Sequence, residues 1–322
     1  MNICMVGHGM MGSWHSVALT TMGCSLHTVV GRRPEATREF ADRYGYHTWT
    51  INLAEALVDA TIDIVILANP TEMHAQSALA AIAHGKHTLV EIPLALNLAD
   101  AQRVVAAAEQ SGLTLGVVHP IRMRPELVAL RQRTQAGEEF VRHISGRFYI
   151  HRLENIGATG YVRSWTDNLL WHHTTHLLDA GLWLLQAPIR RTHSFMPPPS
   201  ERTGIPMEVF LGAETDQDQS LVCTGSYFGH ERIFELLIIT DRESYRLDLF
   251  HSTLTTEAGV QPIASEQETC ALVISDFVQA VRTRRQPAIS GLSVLPSMQV
   301  LQHVQDQWDH QHGVGPIPGR PI

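Results

Sequence analysis

The stretch NICMVGHGMMG, residues 2–12, decides the architecture. Residues 2–6 are an apolar run of strand length, and Gly7, Gly9 and Gly12 follow in the pattern G-x-G-x-x-G. Beyond them SWHSVALTTM, residues 13–22, is apolar at helical spacing, and SLHTVV, residues 25–30, reads as a second strand. Three glycines alone are a weak signal, but a strand before them and a helix after them make a dinucleotide-binding turn. Gly7 permits the tight turn, Gly9 lets a pyrophosphate approach the backbone, and Gly12 lets the helix pack closely. Backbone amides at the start of the helix, which have no partner within it, then face the phosphates.

The end of the second strand predicts which dinucleotide binds. An NAD-binding chain usually places Asp or Glu about 20 residues past the glycines, where it meets the ribose 2′-hydroxyl. Here the residues are Gly31, Arg32 and Arg33. With no carboxylate to repel it, a 2′-phosphate fits against the small Gly31 and is clamped by guanidinium groups, so NADP is expected ahead of NAD.

Downstream, REFADRYG, TIDIVILANP, MHAQSALAAIAHG, HTLVEIP, LADAQRVVAAAEQSG and LTLGVVH read as helix and strand in strict turn. That alternation predicts a doubly wound parallel sheet, a Rossmann-type α/β domain over residues 1–121. From about residue 140 the pattern changes to apolar–polar alternation broken by turns, as in HISGRFYIHRL, MEVFLGAET and SLVCTGSYFG. Residues 122–322 are therefore expected to form an α+β domain with an open, largely antiparallel sheet covered on one face. The Pro- and Gly-rich tail, GVGPIPGRPI, is expected to lie along a surface or a neighbouring subunit.

Composition narrows the function. The chain has 322 residues, 44% hydrophobic and 17% charged, which allows two domains with real cores. A formal charge of −8 leaves no excess of cations for nucleic-acid phosphates. No run of about 18 apolar residues predicts a membrane span. The four scattered cysteines read as reduced core thiols of a cytoplasmic protein, and the N-terminus reads as a strand rather than a signal peptide.

A second stretch, NLLWHHTTHLLDAG at residues 168–181, holds His172, His173, His176 and Asp179. On a continuous helix His172 and His176 share a face, Asp179 stacks one turn on, and His173 points about 100° away from His172. The pattern suits a metal site, a proton-transfer station or a polar seam of the fold. A histidine pair four apart fits zinc, but the glutamate of HExxH is missing and no other ligand cluster is evident, so no metal is expected.

GHGMMG, ANPTEMHAQSALAAIAHGKHTLVEIPLA and HHTTHLLD together resemble the Gfo/Idh/MocA oxidoreductases, from the N-terminus to about residue 185. The resemblance implies a C-terminal sheet that joins subunits into a homodimer or homotetramer and an active site between the domains. It implies cofactor contacts from the first turn, with His8, Met10 and Met11 joining the glycines, and from Asn69, Pro70, Thr71, His74, Glu91 and Ile92. Two departures stand out. The family's Glu-Lys-Pro, whose lysine bonds the reacting hydroxyl, is Glu91-Ile92-Pro93 here, and isoleucine neither holds nor passes a proton. The family's aspartate four residues before the catalytic histidine is replaced by His172, with the histidine itself at His176.

VEIPLA, VVHPIRMRPE and YVRSWTDNLLWHHTTHLLD are similar to one branch of that family that shares both departures. That branch oxidises a carboxylated cyclic hemiacetal to a lactone with NADP, in bacterial aromatic-compound catabolism. Pro120, Ile121 and Arg124 differ from the branch and leave room for a shifted substrate. The chemistry is coherent without lysine, because a hemiacetal hydroxyl is more acidic than a simple alcohol and its oxidation ends in a resonance-stabilised lactone. A histidine near its unperturbed pKa of about 6.5 then suffices as base, worth about 10²–10⁴ in rate.

The expected catalytic groups are His176 as base, His172 as its partner or the alternative base, and Glu91. Asp179 either orients His176 or bonds to backbone. Carboxylates on the substrate call for local cations, with Arg122 and Arg163 ahead of Arg124. His119, Trp165, Thr166, Asp167 and His173 complete the expected substrate wall, although Trp165 and Trp171 read equally as core anchors and Asp167 as a helix cap. Two other readings stay open: a sugar or cyclitol dehydrogenase of the same family, and a non-catalytic NADP-binding regulator.

Overall fold

A computed structural model describes residues 1–157, 160, 162–166 and 168–313. The first domain alternates as expected, through β1 (Asn2–Val6), α1 (Met10–Thr21), β2 (Ser25–Val30), α2 (Pro34–Tyr44), β3 (Thr48–Thr50) and α3 (Leu53–Leu57). It continues with β4 (Ile64–Leu67), α4 (His74–Ala83), β5 (His87–Glu91), α5 (Leu98–Ser111) and β6 (Leu115–Val118). All strand pairs are parallel, in the order β3-β2-β1-β4-β5-β6. Strands β4 and β6 are buried along their whole length, which is why IVIL and LGVV run apolar without alternation. The order reverses between β1 and β4, and the turns after β1, β2, β4, β5 and β6 all open at one edge of the sheet. Such a switch point is where open α/β sheets bind ligands.

After α6 (Pro125–Gln135) the chain builds its second sheet from β7 (Val141–His151), which leads to a π-helical turn at Leu170–Thr174 and α7 (Thr175–Leu185). Next come β8 (Ile189–Phe195), β9 (Glu208–Thr215), β10 (Ser220–Ser226), β11 (Phe228–Thr240), β12 (Ser244–Asp248), β13 (Thr253–Thr256) and β14 (Gly259–Pro262). Their order is β14-β13-β12-β11-β7-β10-β9-β8, antiparallel except for the β7–β10 pair. Burial alternates along β7, β9 and β10 because α7 covers only one face. Close approach of that helix depends on small residues: a Cβ at Gly146 would meet Leu177 at 2.9 Å, and one at Gly181 would meet Leu221 at 2.7 Å. The helix that carries the histidines is thereby pressed onto the sheet.

Two helices close the chain, α8 (Glu266–Thr283) and α9 (Leu295–His312). Helix α8 crosses back to pack on α1 and β6, and Val117 N–H donates to Ile289 O at 3.1 Å beside it. A capping box of Ser265 and Glu268 fixes where α8 begins. All four cysteines are buried thiols. Among the described residues no helix is long and apolar enough to cross a membrane. The end of the tail, 314–322, lies outside the described residues.

Gly12 sits beneath the first turn, where an added Cβ would lie 2.4 Å from Gly7 O. That oxygen is backbone and cannot swing aside. Gly12→Ala is expected to cost about 1–3 kcal/mol in urea unfolding and to weaken dinucleotide binding in a fluorescence titration.

Candidate active site

A cleft of about 700 Å³ runs along the switch edge and continues between the two domains. Its first half is the turn after β1. Gly7 has φ +112°, and a Cβ there would lie 2.2 Å from Ala68 O, so both backbone conformation and space demand glycine. A Cβ at Gly9 would meet nothing within 4 Å, which leaves the backbone open to a ligand. Gly9 is also the N-cap of α1, and no side chain caps that end. The amides of the first turn are available for an anion. His8, Met10 and Met11 line the cleft with Gly7 and Gly9; Gly12 does not, because it packs beneath Gly7.

Gly31, Arg32 and Arg33 line the cleft after β2, and Asn69, Pro70 and Thr71 line it after β4. His74 bridges the turns after β4 and β5, with Nδ1 2.7 Å from Pro93 O and Nε2 3.0 Å from Asn69 O. Glu91 and Ile92 stand at the end of β5, and Glu91 Oε1 lies 2.5 Å from Nε2 of the buried His15. The glycine cradle, the uncapped helix end and two arginines fit a dinucleotide with phosphate groups. Sequence reasoning missed His15, which looked like one more apolar-face position of α1. It also missed Ile51, Asn52 and Leu53, which line the far end of the cleft. They follow β3, a strand of three residues with too little periodicity to read.

The other half of the cleft is bounded by Gly157, Arg163, Ser164, His172, His176 and Glu266. The stretch carrying the histidines is not one continuous α-helix: residues 170–174 form a π turn before α7 begins. His172 and His176 still face the cleft together, with ring centroids 6.2 Å apart. Enclosure by protein, then His172 and His119, hold the His176 imidazole well below the usual 6.5, with Asp179 acting against them. The expected base near pKa 6.5 is therefore a weaker one. Glu266, at the start of α8, is the carboxyl that sequence reasoning missed. Burial and the nearby Glu91 raise its pKa above 4.5, against Arg124 and His172.

Several expected substrate contacts are corrected by the structure. Asp179 does not orient His176. It is fully buried and takes a fork from Arg122, whose Nε donates to Oδ2 at 2.6 Å and whose Nη2 donates to Oδ1. His119 Nδ1 lies 2.8 Å from Oδ2, and Ser297 Oγ donates to Oδ1 at 2.9 Å. Burial alone would raise this carboxyl, but Arg122 and His119 outweigh it and hold it well below the usual carboxylate range. Arg122 and His119 thus face Asp179 and are not among the residues that line the cleft. Arg124 is buried off the cleft and donates to Ala264 O at 2.5 Å, two residues before Glu266.

His173 turns away, stacked on Phe148 at 3.8 Å and 3.0 Å from the Tyr227 hydroxyl. Trp165 packs 5.8 Å from the Tyr227 ring rather than on the cleft. Trp171 is a core anchor whose Nε1 donates to Gln305 at 3.1 Å. Thr166 is buried beside cleft residues, 2.7 Å from Ser164 Oγ and 3.4 Å from Glu72 Oε2. Asp167 lies outside the described residues. Arg163 is the expected cation that the structure does bring to the substrate end. Lys86, the one lysine of the sequence, is buried at the opposite end of β5 and donates to Asp59 O at 2.6 Å and Ile62 O at 2.9 Å. No other lysine exists to replace Ile92.

Comparison with known proteins agrees with this geometry. Residues 1–119 match the Gfo/Idh/MocA model, an oxidoreductase family with an NAD-binding Rossmann fold, and residues 125–241 match a model of the C-terminal domain of bacterial oxidoreductases. The chain is 30% identical over 318 residues to 4-carboxy-2-hydroxymuconate-6-semialdehyde dehydrogenase of Sphingobium sp. strain SYK-6, covering 97% of this chain and 100% of that one. It is 29% identical to scyllo-inositol 2-dehydrogenase (NAD(+)) of Bacillus subtilis over 139 residues, 41% of this chain and 40% of that one. Its fold matches that of a levoglucosan dehydrogenase solved with NADH and levoglucosan, at TM-score 0.83 and 17% identity over 97% of this chain and 98% of that one.

The buried pair gives a clear expectation. Asp179→Ala leaves the Arg122 guanidinium uncompensated in the interior, and stability in urea unfolding is expected to fall by about 3–5 kcal/mol. A loss below about 1 kcal/mol would mean that Arg122 is hydrated or repaired by another anion.

Proposed function

The chain belongs to the Gfo/Idh/MocA oxidoreductase family, and from that premise we propose that it is an NADP-dependent dehydrogenase of a carboxylated cyclic hemiacetal. The substrate in this reading is the cyclic form of 4-carboxy-2-hydroxymuconate-6-semialdehyde, or a close analogue, and the product is the lactone 2-pyrone-4,6-dicarboxylate. The observation that carries it is that two imidazoles share the substrate end of the cleft with Ile92, in a chain whose only lysine is elsewhere. A site without an amine suits an acidic hydroxyl.

The turn after β1 and the start of α1 would hold the pyrophosphate, Arg32 and Arg33 the 2′-phosphate, and Asn69, Glu91 and Ile92 the nicotinamide end. A nicotinamide held there would supply the hydride acceptor. His176 takes the hydroxyl proton on its imidazole, which is neutral at pH 7 because its pKa is depressed. Glu266, beside His172 and with a raised pKa, is the carboxyl suited to hold a proton next. Arg163 offers a guanidinium fork to a substrate carboxylate.

A sugar or cyclitol substrate is the second reading. It is favoured by the engagement of Arg122 and Arg124 away from the cleft, and by Glu72, Glu91 and Glu266 along it. In either reading the uncovered face of the second sheet, where Phe195 pairs with Phe210 and both are exposed, would meet a second copy of the chain.

Turnover on carboxylated hemiacetals against free sugars separates the two substrates. On the acid, Arg163→Ala is expected to raise KM about tenfold or more, the worth of a charge-assisted bond, with little change for a neutral sugar. His176→Ala is expected to lower kcat by about 10²–10⁴ while NADP still binds. Since the base must be unprotonated and its pKa lies below 6.5, kcat/KM for oxidation should stay level from alkaline pH down through 6.5 and fall only beneath it. A profile that falls from pH 8 places the base on another group.

A further inference from the structure

Gly31 has an unusual reason to be glycine. A Cβ there would lie 2.0 Å from Thr37 Oγ1, 2.4 Å from His8 Cδ2 and 2.9 Å from His8 Nε2. Its backbone is not left-handed, so the demand is for space and not for conformation. The edge of the His8 imidazole therefore stands where the side chain of an acidic ribose-binding residue would begin. The same ring lines the cleft beside Arg32 and Arg33.

We propose that His8 is a third ligand of the ribose 2′-phosphate, beside Arg32 and Arg33, and that it takes up a proton when that phosphate binds. The proposal rests on the NADP reading and extends it: cofactor choice at this site is linked to pH. The groups that act on the ring are known from each side. Arg32 and Arg33 press on it from the turn after β2, the Thr37 hydroxyl and the Phe40 ring face it from α2, and its own carbonyl accepts a hydrogen bond from it. The Thr37 hydroxyl proton is spent on Arg33 O at 2.7 Å, so toward His8 the hydroxyl presents oxygen.

Burial comes first among the influences on His8, and with Arg33 and Arg32 it holds the imidazole below 6.5, against the pull of its own carbonyl. The ring is therefore neutral above pH 7. A phosphate dianion arriving among these cations reverses the balance, because it neutralises the arginines and favours imidazolium. The proton comes from solvent, and the resulting N–H⁺ donates to a phosphate oxygen. By linkage, a group whose pKa rises on binding makes affinity fall as pH rises through the interval between its two pKa values. The effect reaches at most about tenfold per pH unit for one proton. NAD has no 2′-phosphate and should show no such slope.

Calorimetric titration with 2′,5′-ADP and 5′-ADP at pH 7.5, in two buffers of different ionisation enthalpy, tests this without turnover. At that pH a phosphate monoester is already a dianion, so uptake must come from the protein. The expected result is tighter binding of 2′,5′-ADP than of 5′-ADP, with net proton uptake for 2′,5′-ADP alone. His8→Asn and His8→Gln should keep part of the preference through the arginines and lose the uptake. Equal affinity for the two nucleotides in the wild type would refute the NADP reading. A preference without uptake, or uptake that persists in both variants, would leave that reading standing and refute the role of His8.

Discussion

The buried carboxylate of Asp179 ties together the parts that make the site. It lies on α7, which carries His176 one turn earlier. Arg122 and His119 reach it from the turn after β6, at the edge of the first domain, and Ser297 reaches it from α9. Arg122 also donates to Ser293 Oγ at 3.2 Å and to Ser293 O at 3.1 Å. Burying two charges costs several kcal/mol per ion, and the fork with its accessory hydrogen bonds is what offsets it. A hydrophobic cluster could match that stability, but it would not fix the rotation of α7 about its axis as a bidentate fork does. His172 and His176 line the cleft from the turn and helix that this fork anchors.

The first domain was legible because its signals are local and repeated. A strand of four buried apolar residues, a glycine at a turn and a helix of even periodicity each announce themselves within a dozen residues. The turns that line the first half of the cleft followed directly, since the turns after successive parallel strands must share an edge. The substrate half was legible only as a set of residue types. Arg122, Arg124, His119 and Asp179 were recognised as polar groups with work to do, but whether an arginine meets a substrate or a buried aspartate depends on contacts across 57 residues of sequence, as in the Arg122–Asp179 pair. Glu266 was not legible at all, because nothing local to SEQET says that α8 returns to the first domain.

Charge is distributed unevenly along the cleft. At the far end Arg32, Arg33 and His8 gather, and among the described residues no acid lines the cradle between them and Asn69. Nearer the histidines the wall carries Glu72, Glu91 and Glu266, together with Arg163. That end would suit the phosphates of a polyanionic cofactor, in a chain whose net charge is −8. The acidic stretch is softened in two ways. Glu91 is held by His15, and burial with the nearby Glu91 raises the pKa of Glu266 above 4.5. A carboxylated substrate would meet one guanidinium and one protonatable carboxyl here, rather than a ring of arginines.

If His176 is the base, as proposed, the absence of a lysine and the weakness of that base point the same way. Each unit by which a base falls below its ordinary pKa gives up about 1.36 kcal/mol of proton affinity. For a simple secondary alcohol that loss adds to a proton transfer already far uphill. For a hydroxyl acidified by a ring oxygen the transfer is less demanding, and a base that is wholly unprotonated at neutral pH has the advantage of availability. An ordinary imidazole of pKa about 6.5 would spend part of its time protonated near neutral pH. The enclosed His176, pressed by His172 and His119, gives up strength and gains readiness. That exchange is sound only where the substrate supplies acidity of its own, which ties the identity of the base to the identity of the substrate.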